Sequence, residues 1–418
     1  MRMAKLSDVT SSDACLERLA ATAATTPPGQ WVLGVGIRAE GWADPTYPTA
    51  REIDDAVGNR PCCAWSFDHH ALVANTRALA IAEISRLTPN PPHGIIVRDS
   101  AGDPTGLLLE SAAHMLWSRV PEPQGQERIE VVRRALADFA RHGFVEIHDL
   151  HAPPWLGRIL AQLDDSGELP TTVWVYVPLR GIERAVEEAR GSAGWERPRV
   201  RLAGAKVFAD GTLNSRTAWM LHPYADPIAD RPCGEAMMSV DDLASAVARV
   251  HRLGVGLAVH AIGDGAVRAS LDAAERVQRE GGEKPLVTRG FESPDVTPWL
   301  RVEHAEIVDE ADVPRFAKLG VICSPQPCHL LADIEALQRY LPHRLDRVLP
   351  LRELINTGCI PGQGLWFGSD APIVRPDPED SIIAAVTRRR DDMAAAQSVA
   401  PMQAISEEEA WRAFLASS

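Results

Sequence analysis

The chain has 418 residues, 45% hydrophobic and 24% charged, a balance that suits a large buried core and excludes collagen-like, fibrous and disordered classes. Its 57 acidic against 43 basic residues give a formal charge of -14, and the one basic run, Arg388-Arg389-Arg390, is followed at once by Asp391 and Asp392. Nucleic acid and anionic membrane surfaces are therefore not expected as partners. A small-molecule substrate is, and a homo-oligomer is allowed.

Residues 1–19 carry no apolar run of leader length, so secretion through a cleaved leader is not expected. No window approaches the roughly 18 apolar residues that a membrane span needs. Seven cysteines, an odd number without CxxC spacing, read as reduced and buried, which points to a cytoplasmic protein.

Residues 1–115 are broken by Pro27-Pro28-Gly29, Pro89–Pro92 and Gly102-Asp103-Pro104 and read as an inserted or flanking subdomain. There, His69, His70 and Asn75 precede an Ala-Leu-Ala run and are expected to cap or pack. The segment Pro121–Gly125 reads as the linker to the second domain, residues 116–418.

From about residue 125, helix-period segments alternate with β-rich runs, the pattern of βα units on a parallel sheet. Seven runs stand out: Phe144–His148, Thr172–Val177, Val200–Phe208, Val255–His260, Leu300–His304, Val321–Cys323 and Leu365–Gly368. Between them, a helix is expected to start near Asp264 and another to run from Asp309 to Gly320. The repeated unit predicts an α/β fold, a distorted (β/α)8 TIM-like barrel in which seven of the eight strands are visible.

Barrel active sites lie at the C-terminal strand ends, and here those ends carry related chemistry. Lys206 precedes Asp210-Gly211-Thr212, His260 precedes Gly263-Asp264, His304 ends its run, and Asp370 follows Phe367-Gly368-Ser369. Period-two alternation pairs Gly204 with Lys206, Ala258 with His260, Val302 with His304 and Gly368 with Asp370 on shared faces. Small residues beneath three of these groups would leave room for an ion or a substrate. Two imidazoles and a carboxylate are good ligands for a divalent cation such as zinc, whose bound water ionises near neutral pH. A lysine joins such a set only as a carbamate formed with carbon dioxide. Only four of the 43 basic residues are lysines, and Lys206 lies inside an apolar strand.

Each residue also has a plainer reading. The histidines can be hydrogen-bonded structural groups, Asp370 can cap a turn, and Lys206 can pair with Asp210. His148 and His151 can line the pocket or simply be polar loop residues. Arg216 can clamp a substrate carboxylate or form a surface ion pair.

The segments Lys206–Ala218, Val259–Asp264, Arg301–Ala305, Ser324–Pro327 and Gly368–Pro372 together resemble the amidohydrolase superfamily. They are most similar to its amidohydrolase-3 branch, which includes the N-substituted formamide deformylase-like enzymes. Trp31–Gly36 and Asn75–Leu79 resemble the insert that this branch carries between its first two barrel strands.

The resemblance implies a metal-dependent hydrolase of a C–N bond in an amide, formamide or related small molecule. It implies one or two zinc-like ions, with Lys206 as carbamylated bridging ligand, His260 and His304 as ligands, and Asp370 as ligand and general base. It places Asp210, Arg216 and Asp264 near the substrate pocket, and His148 is grouped with them as substrate-binding.

Family members begin with a strand ending in His-x-His and continue past Trp411–Leu415 into a small β-sandwich segment. The sequence as given shows neither, which is expected either of a sequence cut short or of a natural variant with an impaired first-metal site. A second reading is therefore a catalytically impaired barrel acting as a binding module. Ester or organophosphate hydrolysis uses similar metal chemistry.

Overall fold

A computed structural model describes residues 3–281 and 299–414. Lys284 lies outside the described residues. The chain divides into two compact units, Met1–Gln124 and Gly125–Ser418. The helix Ser111–Trp117 belongs to the first unit, so the division falls inside the Pro121–Gly125 segment and not at residue 115.

The first unit holds β1 (Ala4–Lys5), β2 (Val32–Ile37), β3 (Cys62–Ser66), β4 (Ala71–Ala74), β5 (Gly94–Arg98) and β6 (Pro104–Glu110) in one mixed sheet, ordered β1-β2-β3-β4-β6-β5. The first three strands pair parallel and the others antiparallel. Asn75 does what its position suggests. Its Oδ1 accepts from the Ala78 N–H at 3.0 Å, capping the helix Thr76–Ile81, and from the Cys62 N–H at 2.9 Å, tying that cap to β3. The seven cysteines are all free, and six of them are buried. Burial pushes the Cys15 thiol up to about 12, so it behaves as a small apolar side chain.

The second unit contains β7 (Glu146–Asp149), β8 (Thr172–Pro178), β9 (Val200–Phe208), β10 (Gly256–Ala261), β11 (Leu300–His304) and β12 (Ile322–Ser324). Every adjacent pair is parallel, and the strands lie side by side in chain order. Such a singly wound sheet, with a helix after nearly every strand, is the ladder of a (β/α) barrel. Gly320, at φ 66° and ψ 33°, closes the helix Val313–Leu319 in the left-handed conformation that favours glycine.

The described residues do not form a complete eight-stranded barrel. Six of the seven expected runs are strands, and the seventh, Leu365–Gly368, joins only through a single parallel bridge from Leu365 to Cys323. The reason is local. Proline has no N–H to donate, and Pro325 ends β12 after three residues. The Trp366 N–H still donates to the Cys323 carbonyl at 2.9 Å, but the Phe367 N–H turns to the Ala413 carbonyl at the same distance.

The two faces of this sheet differ. Val173, Val175, Ala205, Val207, Val259 and Val302 belong to the large core shared with the helices. The opposite face carries Trp174, Tyr176 and Ala258, a separate apolar cluster, together with the polar groups considered below. A register shift between β8 and β9 inserts Ala203 as an extra residue, which turns Gly204 and Lys206 onto this second face. At Gly204 a β-carbon would lie 2.1 Å from the Gly256 carbonyl oxygen, so only glycine allows the strands to approach there. The basic run is no charged patch: Arg388 is fully buried, with its Nε donating to the Val399 carbonyl at 3.1 Å.

Candidate functional site

In a parallel sheet, residues paired across neighbouring strands point to the same side. The pairings Lys206 with Ala258 and Phe208 with His260, then Ala258 with Arg301 and His260 with Glu303, put all of these side chains on one face. The pairings of His148 with Trp174 and Glu303 with Ser324 extend the set. Two layers result.

The lower layer is built on Arg301. Its guanidinium clasps Glu303, with Nη2 also donating to the Ser324 Oγ at 3.0 Å, and it lies 5.3 Å from the Trp366 ring and 5.7 Å from the Tyr176 ring. Arg301 Nη1 donates to His148 Nδ1 at 3.0 Å. An arginine can only donate, so the proton of neutral His148 sits on Nε2, which faces Glu146 at 3.1 Å. Burial lowers the His148 pKa, and Arg301 adds to the effect. Burial alone would raise the Glu303 carboxyl, but Arg301 and Lys206 outweigh it and hold the group below the usual carboxylate range.

The upper layer gathers the strand-tip residues. The Lys206 Nζ lies 5.4 Å from the Phe208 ring, whose centroid is 5.1 Å from that of His260. Burial lowers the Lys206 pKa, against the pull of Glu303 and Asp370. The His260 ring lies 4.4 Å from that of His304. His260 Nε2 is 3.0 Å from the Gly211 carbonyl, which fixes the proton on Nε2 and puts the lone pair on Nδ1.

His304 does not share a face with Val302, as simple alternation predicts. Val302 faces the helices, while His304, at φ 72°, swings its ring toward His260. Asp370, at φ 56°, is likewise left-handed. Non-glycine residues held in this region are strained, and such strain concentrates at functional sites.

His304, Asp370 and His329 offer ligand atoms that all lie within 4.8 Å of one another. His329 escapes a search of strand ends because it sits in the first turn of the helix Pro327–Tyr340. The readable signal is Pro327, a helix-opening proline shortly after a short strand, with a histidine two residues on. Of the four expected ligands, His304 and Asp370 thus fall within one cage, and His260 and Lys206 lie beside it.

The four expected substrate contacts each have protein partners. Asp210 is fully buried and accepts from the N–H groups of Trp219 (2.9 Å), Ile262 (3.1 Å) and Gly263 (2.8 Å). It ties the loop after β9 to the loop after β10, 3.7 Å from His260 Nε2. Asp264 accepts from the Leu221 N–H at 2.7 Å and from Arg344 at 2.6 Å. Arg216 pairs with Asp226 at 3.2 Å and stacks 5.1 Å from the Tyr340 ring, the ion-pair reading. His148 belongs to the lower layer.

The amidohydrolase family model matches residues 1–414. The chain belongs to the amidohydrolase family. This amidohydrolase is 28% identical to YtcJ of Bacillus subtilis strain 168 over 92% of its own length and 69% of that protein. It is 26% identical to the N-substituted formamide deformylase of Arthrobacter pascens, over 96% of its length and 72% of the deformylase. A crystal structure described as an uncharacterized metal-dependent hydrolase from Pyrococcus horikoshii OT3 superposes with a TM-score of 0.71 at 23% identity. That match covers 99% of this chain and 76% of the other, and it shows a shared fold. Among the described residues, no helix is long and apolar enough to cross a membrane.

Proposed function

We propose that this amidohydrolase is a divalent-metal-dependent hydrolase that cleaves a C–N bond in an amide, formamide or related small molecule. The observation that carries the reading is that His304 and Asp370, far apart in the chain, offer ligand atoms within 4.8 Å of each other, with the His260 ring 4.4 Å from that of His304. The donor set suits the ion: imidazole nitrogen and carboxylate oxygen are ligands that zinc and its neighbours accept. His304 and Asp370 would hold it, and His260 and a Lys206 carbamylated by carbon dioxide would border it. Bound there, a divalent cation would supply Lewis acidity, making a water nucleophilic near neutral pH and polarising the scissile carbonyl.

The remaining work falls to this chain's own residues. The Asp370 carboxylate is 37% exposed, so it is open to water and can take the proton of the attacking molecule. Burial of Lys206 favours the neutral amine, the form that reacts with carbon dioxide. The Asp210 clamp holds Gly211 so that its carbonyl orients His260.

The test is a panel of N-formyl and N-acyl amines incubated with the zinc- or manganese-loaded full chain. We expect hydrolysis that chelation abolishes and that Asp370→Asn lowers by at least about a hundredfold, the scale of general-base catalysis. Turnover that survives both treatments would remove the proposal.

A further inference from the structure

His329 lies outside the ligand set that the strand-end pattern suggested, yet its position has the character of a ligand. Its Nε2 is buried without a hydrogen-bond partner and points at Asp370, 3.9 Å from Oδ2. That distance is too long for a hydrogen bond. It is right for two atoms on one ion: bonds of roughly 2.1 Å keep ligands within about 4.2 Å of each other. The His304 ring lies 5.8 Å away, inclined by 30°.

The backbone around His329 is fixed from several sides. Gln326 Nε2 donates to the Ser324 carbonyl at 2.8 Å, pinning the turn from β12 into the helix. One residue before His329, the Cys328 N–H donates to the Ser381 Oγ at 3.2 Å. Facing it, His304 and Asp370 both stand in left-handed conformations. A rigid imidazole opposite two strained donors is the arrangement of a preorganised cage, and two nitrogens with one carboxylate oxygen suit zinc or cobalt.

We propose that His329 is a direct ligand of the divalent cation, completing a site with His304 and Asp370. This rests on the metal-dependent reading above and extends it to a residue on a helix instead of a strand end. His260 and Lys206 then border the ion on the side of β9 and β10.

The experiment titrates cobalt(II) into the metal-free full chain, following binding by equilibrium dialysis and by the cobalt d–d absorption. His329→Ala and His329→Cys are compared with the wild type and with His251→Ala, a control on an exposed helix position. Losing a group that merely orients a ligand already costs about 10- to 100-fold in affinity, so His329→Ala should weaken cobalt binding by at least about tenfold and change the d–d spectrum. His329→Cys should create a thiolate-to-cobalt charge-transfer band absent from the wild type. That gain distinguishes ligation from packing and remains informative if the alanine variant folds poorly.

An alanine variant with wild-type affinity and spectrum overturns the assignment. So does a weakened site whose cysteine variant shows no charge-transfer band, because His329 would then only support the pocket. In either case the metal-dependent reading survives. A wild type that binds no cobalt removes both.

Discussion

Replacing Asp210 with asparagine exchanges a carboxylate for an amide of the same shape, at a position where three backbone N–H groups converge. In the native protein Oδ2 accepts from Gly263 and Trp219, and Oδ1 accepts from Ile262. An asparagine can keep its oxygen on the Gly263 and Trp219 side, but its NH2 then faces the Ile262 N–H. One buried donor left unsatisfied costs about 1–3 kcal/mol, and two bonds to a charged acceptor become neutral ones, so we expect a local loss of roughly 2–4 kcal/mol. At about 1.4 kcal/mol per factor of ten, protection of these loops against hydrogen exchange should fall by roughly 30- to 1000-fold. Mass spectrometry of peptides covering residues 210–219 and 262–263 reads this directly. Protection within threefold of the wild type would refute the clamp. Because the same loop presents the Gly211 carbonyl to His260, metal affinity should also fall by about 10- to 100-fold.

Three further outcomes follow from the lower layer and the loop. Arg301→Met strips the buried Glu303 of its ion-pair partner and leaves Lys206 as the cation still offsetting its charge, so it should destabilise the second unit by up to about 3–5 kcal/mol in urea unfolding; adding Glu303→Gln should recover most of that loss. His148 has a lowered native pKa, so on acidification the unfolded chain binds its proton first. Stability should therefore fall as pH drops below about 6.5, by up to about 1.4 kcal/mol per pH unit, and level off below the native value; His148→Gln should flatten this limb in unfolding midpoints taken between pH 7 and 5. Arg216→Ala breaks a partly exposed pair with Asp226 and should cost under about 1 kcal/mol. A tenfold or larger drop in kcat/KM for carboxylate-bearing substrates would instead make Arg216 a substrate clamp.

The runs that became strands were legible because each is a short β-branched or apolar segment, and in Val255–His260 and Leu300–His304 a histidine at the end marks the site end of the sheet. Thr172–Val177 appears as Thr172–Pro178, and Leu300–His304 keeps its bounds. Legibility failed where one residue redirected the chain. Pro325 stopped the ladder that Leu365–Gly368 was to join, and the left-handed backbone at His304 broke the alternation inferred from Val302. The Ala203 bulge, by contrast, restored the expected inward face for Lys206. Asp210 was recognised as belonging near the site, but its role depends on three backbone donors from two loops, which no spacing rule reveals. His329 needed three dimensions, because a helix brings it to a point that the strand pattern reaches from elsewhere.

Anomalous scattering at the zinc edge, recorded from crystals of the full chain grown with zinc, tests the central claim most directly. The account predicts a peak enclosed by His304 and Asp370, with the His260 ring alongside, at ligand distances of about 2.0–2.2 Å. A map with no peak there, or with zinc bound only elsewhere while these side chains stay in place, would contradict it.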